Sequence, residues 1–334
     1  MPLNMKQTWS TKQLIPYESG TVQDISIKDP VSIKGINLDF AADLVVTDPG
    51  AGADGAVVEN ATAKLIRSIT VKANGGITIF QASGEELYYK NWCEYGNEHP
   101  VVLDATAGAA ATYPIYLNLK IDFENMIGAR RFDTYLPAFK LNTLKILVEW
   151  AAPSICFGST HTMVDTIART FGMSCEVINT SPVEVSLIRI QSAFSSQIVA
   201  TQNGLRQPMD ANMIRTYQSI MIKTAVNTAT EGYAQNDATI TQLSLVSNSS
   251  DYHIQEKAWV AAQRTQQMML KTATIPPGIL YLYFLEDGNI GSGLKADKID
   301  SITFILNAVK AATDTRMTFF YDAIQPVATI LKSI

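Results

Sequence analysis

The chain lacks most of the residue clusters that mark common chemistries. Its 334 residues include three cysteines, Cys93, Cys156 and Cys175, widely spaced and without a CxxC pair. That pattern excludes a zinc ribbon and a disulfide framework, and predicts buried, reduced thiols. The three histidines, His99, His161 and His253, stand apart from one another, and no HxH, HExxH or GxSxG occurs. A dispersed trio cannot supply a cupin-type metal centre. Lysine and arginine number 26 against 31 acidic residues, a net charge of −5, and they form no run. A surface built on phosphate neutralisation, and with it direct sequence-specific nucleic-acid binding, is not expected. The longest apolar run, Ile279 to Leu285, is too short to span a bilayer. The start, from Met1 to Trp9, lacks the apolar core of a signal peptide. The expectation is a chain folded in a reducing cytoplasm.

What is present is core-forming residue in quantity: 47% hydrophobic against 17% charged, enough to bury a proper core rather than stay disordered. At about 150 residues per domain the length suggests two domains. The organising stretch runs from Thr112 to Trp150. Ile115, Leu117, Leu119, Ile121 and Phe123 alternate with Tyr116, Asn118, Lys120 and Asp122, and Leu144, Ile146, Val148 and Trp150 repeat the pattern. Period-two alternation is the signature of a half-buried strand. The stretch is echoed by a strand from Ile279 to Phe284, a glycine-rich loop from Asp287 to Gly293, and alternation at Ile302, Phe304 and Leu306. Upstream, Ser68 to Gly75 is answered by Gln242 to Ser249, each followed by a helix carrying a tryptophan, Trp92 and Trp259. Strands that hold while loops vary give two copies of one β-rich domain.

In chain order, Met1 to about Gly20 reads as an arm containing Trp9. Val31 and Ile33 alternate, then Ile36, Leu38 and Phe40 in the opposite phase; the slip places a bulge at Gly35. Asn74-Gly75-Gly76 marks a hairpin between two strands. Ser83 and Glu86 form a capping box, Tyr88, Trp92 and Tyr95 an apolar stripe, and Gly96 a stop. Ala105 to Thr112 reads as an exposed alanine-glycine loop. Ala-Ala-Pro153-Ser after Trp150 predicts the domain boundary. Beyond it, strands are expected at Met173 to Ile178, Val183 to Ile190, Ile220 to Val226 and Met317 to Tyr321. Asn203 to Asp210 and Asn227 to Asp237 read as loops. A helix is expected from about Asp251 to Met269, and a short apolar tail at Val327 to Leu331.

Candidate chemistry is sparse. Gly50-x-Gly52-x-x-Gly55 has the spacing of a dinucleotide fingerprint, but no acidic residue ends the next strand, Ile69 to Lys72, and no βα alternation follows. Asp122 and Glu124 share a strand face, which could serve acid–base work but reads first as a solvated face. Glu85 and Glu86 are accounted for by helix capping, and Arg130-Arg131 by an exposed loop. Without a secretory route the sequons at Asn60, Asn179 and Asn248 carry no weight. No catalytic, cofactor-binding or metal residue is assigned, so an enzyme is not expected.

The halves 68–95 with 112–150, and 242–269 with 279–306, together resemble the double-jelly-roll major capsid proteins of tailless icosahedral viruses with an internal membrane. Within that family the short loops look most like the corticovirus-like and finnlakevirus-like phage proteins. The resemblance implies an all-β fold of two consecutive eight-stranded jelly rolls with short helices in the loops. The expected division is an arm at 1–20, jelly rolls at 21–153 and 154–326, and a tail at 327–334. It further implies a homotrimer of pseudo-hexagonal outline in the virion shell. Its partners would be neighbouring capsomers, penton and minor capsid proteins, and the internal lipid membrane reached by the termini. The competing expectation is a viral spike or receptor-binding protein, or a lectin-like carbohydrate-binding jelly roll.

Overall fold

A computed structural model describes residues 8–27, 30–95, 103, 107–124, 131–209, 215–228, 232–248, 250–270, 275–285, 293–295 and 301–331. The first half contains β1 (Thr8–Ile15), β2 (Val22–Ile27), β3 (Ser32–Thr47), α1 (Ala61–Lys64), β4 (Ile66–Ala73), β5 (Ile77–Ala82), α2 (Gly84–Tyr95), β6 (Ala111–Asp122), β7 (Leu144–Trp150), β8 (Val164–Ala168) and β9 (Met173–Thr180). The second contains β10 (Leu187–Gln197), β11 (Gln202–Met209), β12 (Thr216–Thr228), β13 (Gly232–Gln235), β14 (Ile240–Ser247), β15 (Asp251–Ala258), α3 (Trp259–Leu270), β16 (Ile279–Tyr283), β17 (Leu294–Lys295), β18 (Ile302–Ala308), β19 (Thr315–Pro326) and α4 (Ala328–Leu331).

The strand order defines a double jelly roll. In the first roll a sheet ordered β1-β9-β3-β6 faces the run β5-β4-β7-β2. In the second, β10-β19-β12-β16 faces β11-β18-β14-β15. Strand for strand the two orders are the same, two four-stranded sheets closed on an apolar core. β8 adds to β3, and β13 and β17 to β12. The rolls are joined in the sheet itself: β10 pairs in parallel with β5, through Gln191 with Phe80 and Ser192 with Gln81. One ten-stranded sheet therefore runs through both.

The alternation that predicts the core does form it. Leu144, Ile146, Val148 and Trp150 of β7 and Ile115, Leu117, Leu119 and Ile121 of β6 are all buried. Trp150 packs with Tyr17 and Phe40, ring centroids 5.1 Å away, and its indole N–H donates to the Pro16 carbonyl at 2.8 Å. Burying a ring of this size stabilises the fold by about 3 kcal/mol. The second core gathers Trp259, Phe304 and Phe319 with Ile220, Ile222 and Leu306. The register of β3 on β9 shifts between Ile33 and Gly35, the expected bulge. The Asn74-Gly75 hairpin turn is left-handed at both residues (φ 48° and 78°), joining β4 to β5 as predicted.

Several expectations need correction. The pairing does not change rolls at Pro153: β8 and β9 both lie on β3, so the crossover falls between Thr180 and Leu187. Met173 to Ile178, expected to open the second half, closes the first sheet. Met173, Cys175 and Val177 bury their side chains in the first core. The arm is a strand from Thr8, paired antiparallel with β9, Trp9 opposite Ile178. The tail returns to the first roll: Val327 and Ile330 join its core, and the Ile330 carbonyl accepts from Asn74 Nδ2 at 3.1 Å. Asn203 to Asp210 is largely strand β11, held by its ladder to β18. The loop at Asn227 to Asp237 contains β13. The helix expected from Asp251 begins at Trp259, because Asp251 to Ala258 pairs with β14 instead. Ala107 and Gly108, expected to be exposed, are buried.

Candidate functional site: the seam between the two rolls

The charged residues that the cores exclude converge where α2 meets the second roll. Helix α2 begins with the predicted capping box: Ser83 N–H donates to Glu86 Oε2 at 2.8 Å, and Glu86 N–H to Ser83 Oγ at 3.2 Å. The helix follows β5 and faces the outer side of the β10-β19-β12 sheet. The register puts Arg189, Gln191, Ser219, Lys223 and Asp322 on that side, since Gln191 lies opposite Asp322, Asp322 opposite Ser219, and Lys223 opposite Thr318.

Arg189 is the centre of one cluster. Its Nε donates to Asp322 Oδ1 at 2.9 Å and Oδ2 at 2.7 Å. Its Nη2 donates to Asp322 and, at 2.9 Å, to Glu94 of α2. Its Nη1 reaches the Glu124 carbonyl at 2.8 Å. Glu94 also accepts from Lys90 and, at 3.1 Å, from the Tyr281 hydroxyl. Gln191 donates to the Asp122 carbonyl at 2.7 Å. The second cluster centres on Glu85. Lys223 Nζ is 2.7 Å away and Lys64 Nζ 3.7 Å, and Gln235 donates to it at 2.7 Å.

The charged groups are buried or, as at Lys64, nearly so, and desolvation works against each charge while the partners decide the outcome. Burial opposes ionisation of Glu85 and Glu94, yet Lys223 with Lys64, and Lys90 with Arg189, hold the two carboxyls below the usual range. Burial likewise disfavours the Arg189 cation, and Asp322 and Glu94 more than offset it. Asp122 is the exception. Burial, and then repulsion from Glu94, push its carboxyl up to about 7. Lys120 Nζ lies 2.8 Å from its Oδ1 but out of line for a hydrogen bond, and neither oxygen has another partner among the described residues. Apart from Asp122, every charge of the two clusters is locked to another, so the seam serves as a joint rather than a substrate cleft.

The singled-out residues fall as follows. Asp122 and Glu124 are buried rather than solvated; Glu124 sits 3.4 Å from Lys34. Glu86 caps, but Glu85 is a seam residue. His161 is buried, with Nδ1 accepting from the Gly55 N–H at 3.1 Å, Nε2 2.8 Å from Asp165, and its ring stacked on Phe157. That contact explains one glycine of the fingerprint: a Cβ at Gly55 would lie 2.3 Å from His161 Cβ, whereas Gly50 stands in open space with a positive φ of 94°. His253 bonds Ser247 at 2.9 Å. The thiols are free and buried, that of Cys156 pushed up to about 12 by desolvation. Tyr88 of the predicted stripe is buried and Trp92 half-buried, against one another. His99, Gly96, Arg130 and the side chains of Arg131 and Trp9 lie outside the described residues. Among the described residues no group of three His, Cys, Asp or Glu could hold a metal, and no helix is long and apolar enough to cross a membrane. The sequence pattern alone does not single out Arg189, Lys223 and Asp322; the available signal is a lone charge within each of β10 and β12 and an aspartate inside the apolar stretch of β19.

No protein-family model matches the sequence, and neither does any curated protein. The fold, in contrast, is matched over its whole length by solved double-jelly-roll structures. The major capsid protein P2 of bacteriophage PM2 superposes with a TM-score of 0.65 at 10% identity, covering 96% of this chain and 98% of that one. The STIV major capsid protein gives 0.73 at 12% identity, covering 96% and 97%. The PBCV-1 virus capsid structure gives 0.60 at 11% identity, covering 96% and 95%.

Proposed function

We propose that this chain is the major capsid protein of an icosahedral virus with an internal membrane, and that it acts as a homotrimeric capsomer in the virion shell. The observation that carries this reading is the welded pair of rolls. Two sandwiches of the same strand order share a ten-stranded sheet and a buried ionic joint, so each chain contributes two similar, rigidly coupled edges. Three such chains present six similar edges, which suits hexagonal tiling from threefold symmetry. The end-to-end likeness to capsid proteins of several viruses supports it. The role is structural, not enzymatic. Its partners are neighbouring capsomers, with penton and minor capsid proteins at the vertices and lipid reached by the terminal segments outside the sheets. Light scattering on the purified protein, followed by negative-stain imaging, tests this. A trimer mass with a hexagonal outline is expected; a monomer with no tendency to assemble overturns the reading.

A further inference from the structure

We propose that the exposed face of α3 docks on the outer face of the β1-β9-β3-β6 sheet of a second copy of this chain. The proposal rests on the capsomer reading and deepens it by naming the two surfaces that meet.

Helices α2 and α3 are equivalent in their rolls. Each has twelve residues and follows the equivalent hairpin, β4-β5 or β14-β15. Each is pinned by amide side chains to the strand that comes next: α2 by Asn91, and α3 by Gln266 and by Gln263, which donates to the Ile279 carbonyl at 3.0 Å. Asn91 accepts from the Lys120 N–H at 2.8 Å and donates to the Lys120 carbonyl at 2.8 Å. Gln266 accepts from the Tyr281 N–H at 2.5 Å. Lys120 lies in β6 and Tyr281 in β16, which hold the same place in their rolls. Counted from the first helical residue, Asn91 and Gln266 coincide, so the helices align without a gap. Glu85 then corresponds to Val260, Tyr89 to Arg264 and Cys93 to Met268.

In α2 those positions are buried: Glu85 against Lys223 of the sheet, Tyr89 against Asn60 and Glu59, and Cys93 beside Gln266 of α3. In α3 they face solvent: Val260 is 49% exposed and Met268 81%, with Met269 at 56% and Arg264 exposed between them. An apolar patch with one cation at its centre is a docking surface. The surface that covers α2 is the outer face of β10-β19-β12-β16. Its counterpart is the outer face of β1-β9-β3-β6, where Leu14, Ser174, Asp39 and Asn118 form one row across the sheet. Leu14 is 48% exposed and Tyr116, two residues before Asn118, 62%.

Charge agrees with this pairing. At the seam the sheet offers Arg189 and Lys223 to a helix carrying Glu85, Glu86 and Glu94. At the proposed contact the signs are exchanged. Arg264 is the one charged residue in α3, and the sheet offers Asp39 and Glu176, with Lys120 in the Glu176 row 2.8 Å from Asp122. The free edges correspond too: β15 and β1 are terminal strands of their sheets, as β5 and β10 would be without each other. A copy that offers α3 at one end and this sheet at the other associates head to tail, the geometry that closes into a ring.

The test uses the full chain and its mass as a function of concentration. Arg264→Glu with Met268→Asp should raise the concentration for half-assembly about thirtyfold or more. Adding Asp39→Lys and Glu176→Lys to Arg264→Glu alone should restore trimers. As a check independent of folding, a chain with Met268→Cys and Asp39→Cys should cross-link between copies on oxidation, its native thiols being buried. Wild-type trimers together with unweakened trimers in the Arg264→Glu, Met268→Asp chain, or with no cross-link in the cysteine pair, overturn the assignment and leave the capsomer reading standing. A wild-type chain that stays monomeric overturns both.

Discussion

Helices α2 and α3 occupy one position in two copies of a fold, yet they have diverged in opposite directions. α2 is covered on both sides and its outward face is ionic: Glu85, Lys90 and Glu94 are buried with their partners. α3 keeps one side on its own roll and turns valine, methionine and a single arginine outward. The difference follows from what covers each helix. A contact within one chain forms during folding and never opens to water, so its charges can be fully paired and locked. A face that is solvated before it finds a partner does better with a few large flexible apolar side chains, which cost little to leave exposed and adapt on contact. Ion pairs at α2 also specify register, since a slip of the second roll would strand several buried charges at once.

The hardest way to break the buried side of this comparison is Arg189→Ala. It leaves Asp322 and Glu94 in the seam with Lys90 alone to balance them. Removing one member of a buried ion cluster destabilises by about 3–5 kcal/mol. Urea unfolding should show that loss, and the single transition should separate into two as the rolls uncouple. A change under about 1 kcal/mol would mean that the shared sheet, not the ionic joint, holds the halves together.

Asp122 sharpens the same point through pH. Its carboxyl titrates near 7 in the fold, against an ordinary 3.8. A raised pKa means that the folded state holds the proton more tightly. The associated stability is fully present below the ordinary value and is lost as pH rises through about 7. Glu85 and Glu94, held low by their cations, act in the opposite sense, and their contribution is lost as pH falls through their lowered range. Stability should therefore rise on going from pH 8 to about 6 and fall again in acid. Asp122→Asn should flatten the alkaline limb and stabilise the protein at pH 8 by roughly 4 kcal/mol. Thermal unfolding across pH measures this; an unchanged alkaline limb in the variant would assign the titration to another group.

What the sequence made legible, and what it hid, follows from the same physics. Strands with one buried and one solvated face announce themselves, as β6 and β7 do through Ile115 to Ile121 and Leu144 to Trp150. So do local devices whose chemistry is complete within a few residues, such as the Ser83–Glu86 box and the Asn74-Gly75 turn. Edge strands stayed hidden. β11, with Gln202, Asn203, Gln207 and Pro208, has little side-chain pattern because its ladder to β18 holds it. β15 shares Ile254 and Ala258 with a helical stripe, and only pairing with β14 shows it to be strand. The echo of the β4-β5 hairpin pointed to it, since a second copy needs a strand before its helix. The seam was the least visible. Arg189, Lys223 and Asp322 each look like an ordinary solvent-facing residue of an alternating strand, and what buries them lies about a hundred residues or more away in sequence.

The gentlest test addresses the equivalence itself. Asn91→Ala removes two bonds to the Lys120 backbone, and Gln266→Ala removes one to the Tyr281 N–H. A buried backbone group left unpaired costs about 1–3 kcal/mol. Both variants should therefore be destabilised in urea, Asn91→Ala the more, because it strands a donor and an acceptor together beneath the covered helix. If Gln266→Ala proves neutral, within about 0.5 kcal/mol, the two amides are not equivalent anchors. The residue-for-residue match of α3 to α2, and with it the naming of Val260, Arg264 and Met268 as counterparts of buried α2 positions, would then lose its basis.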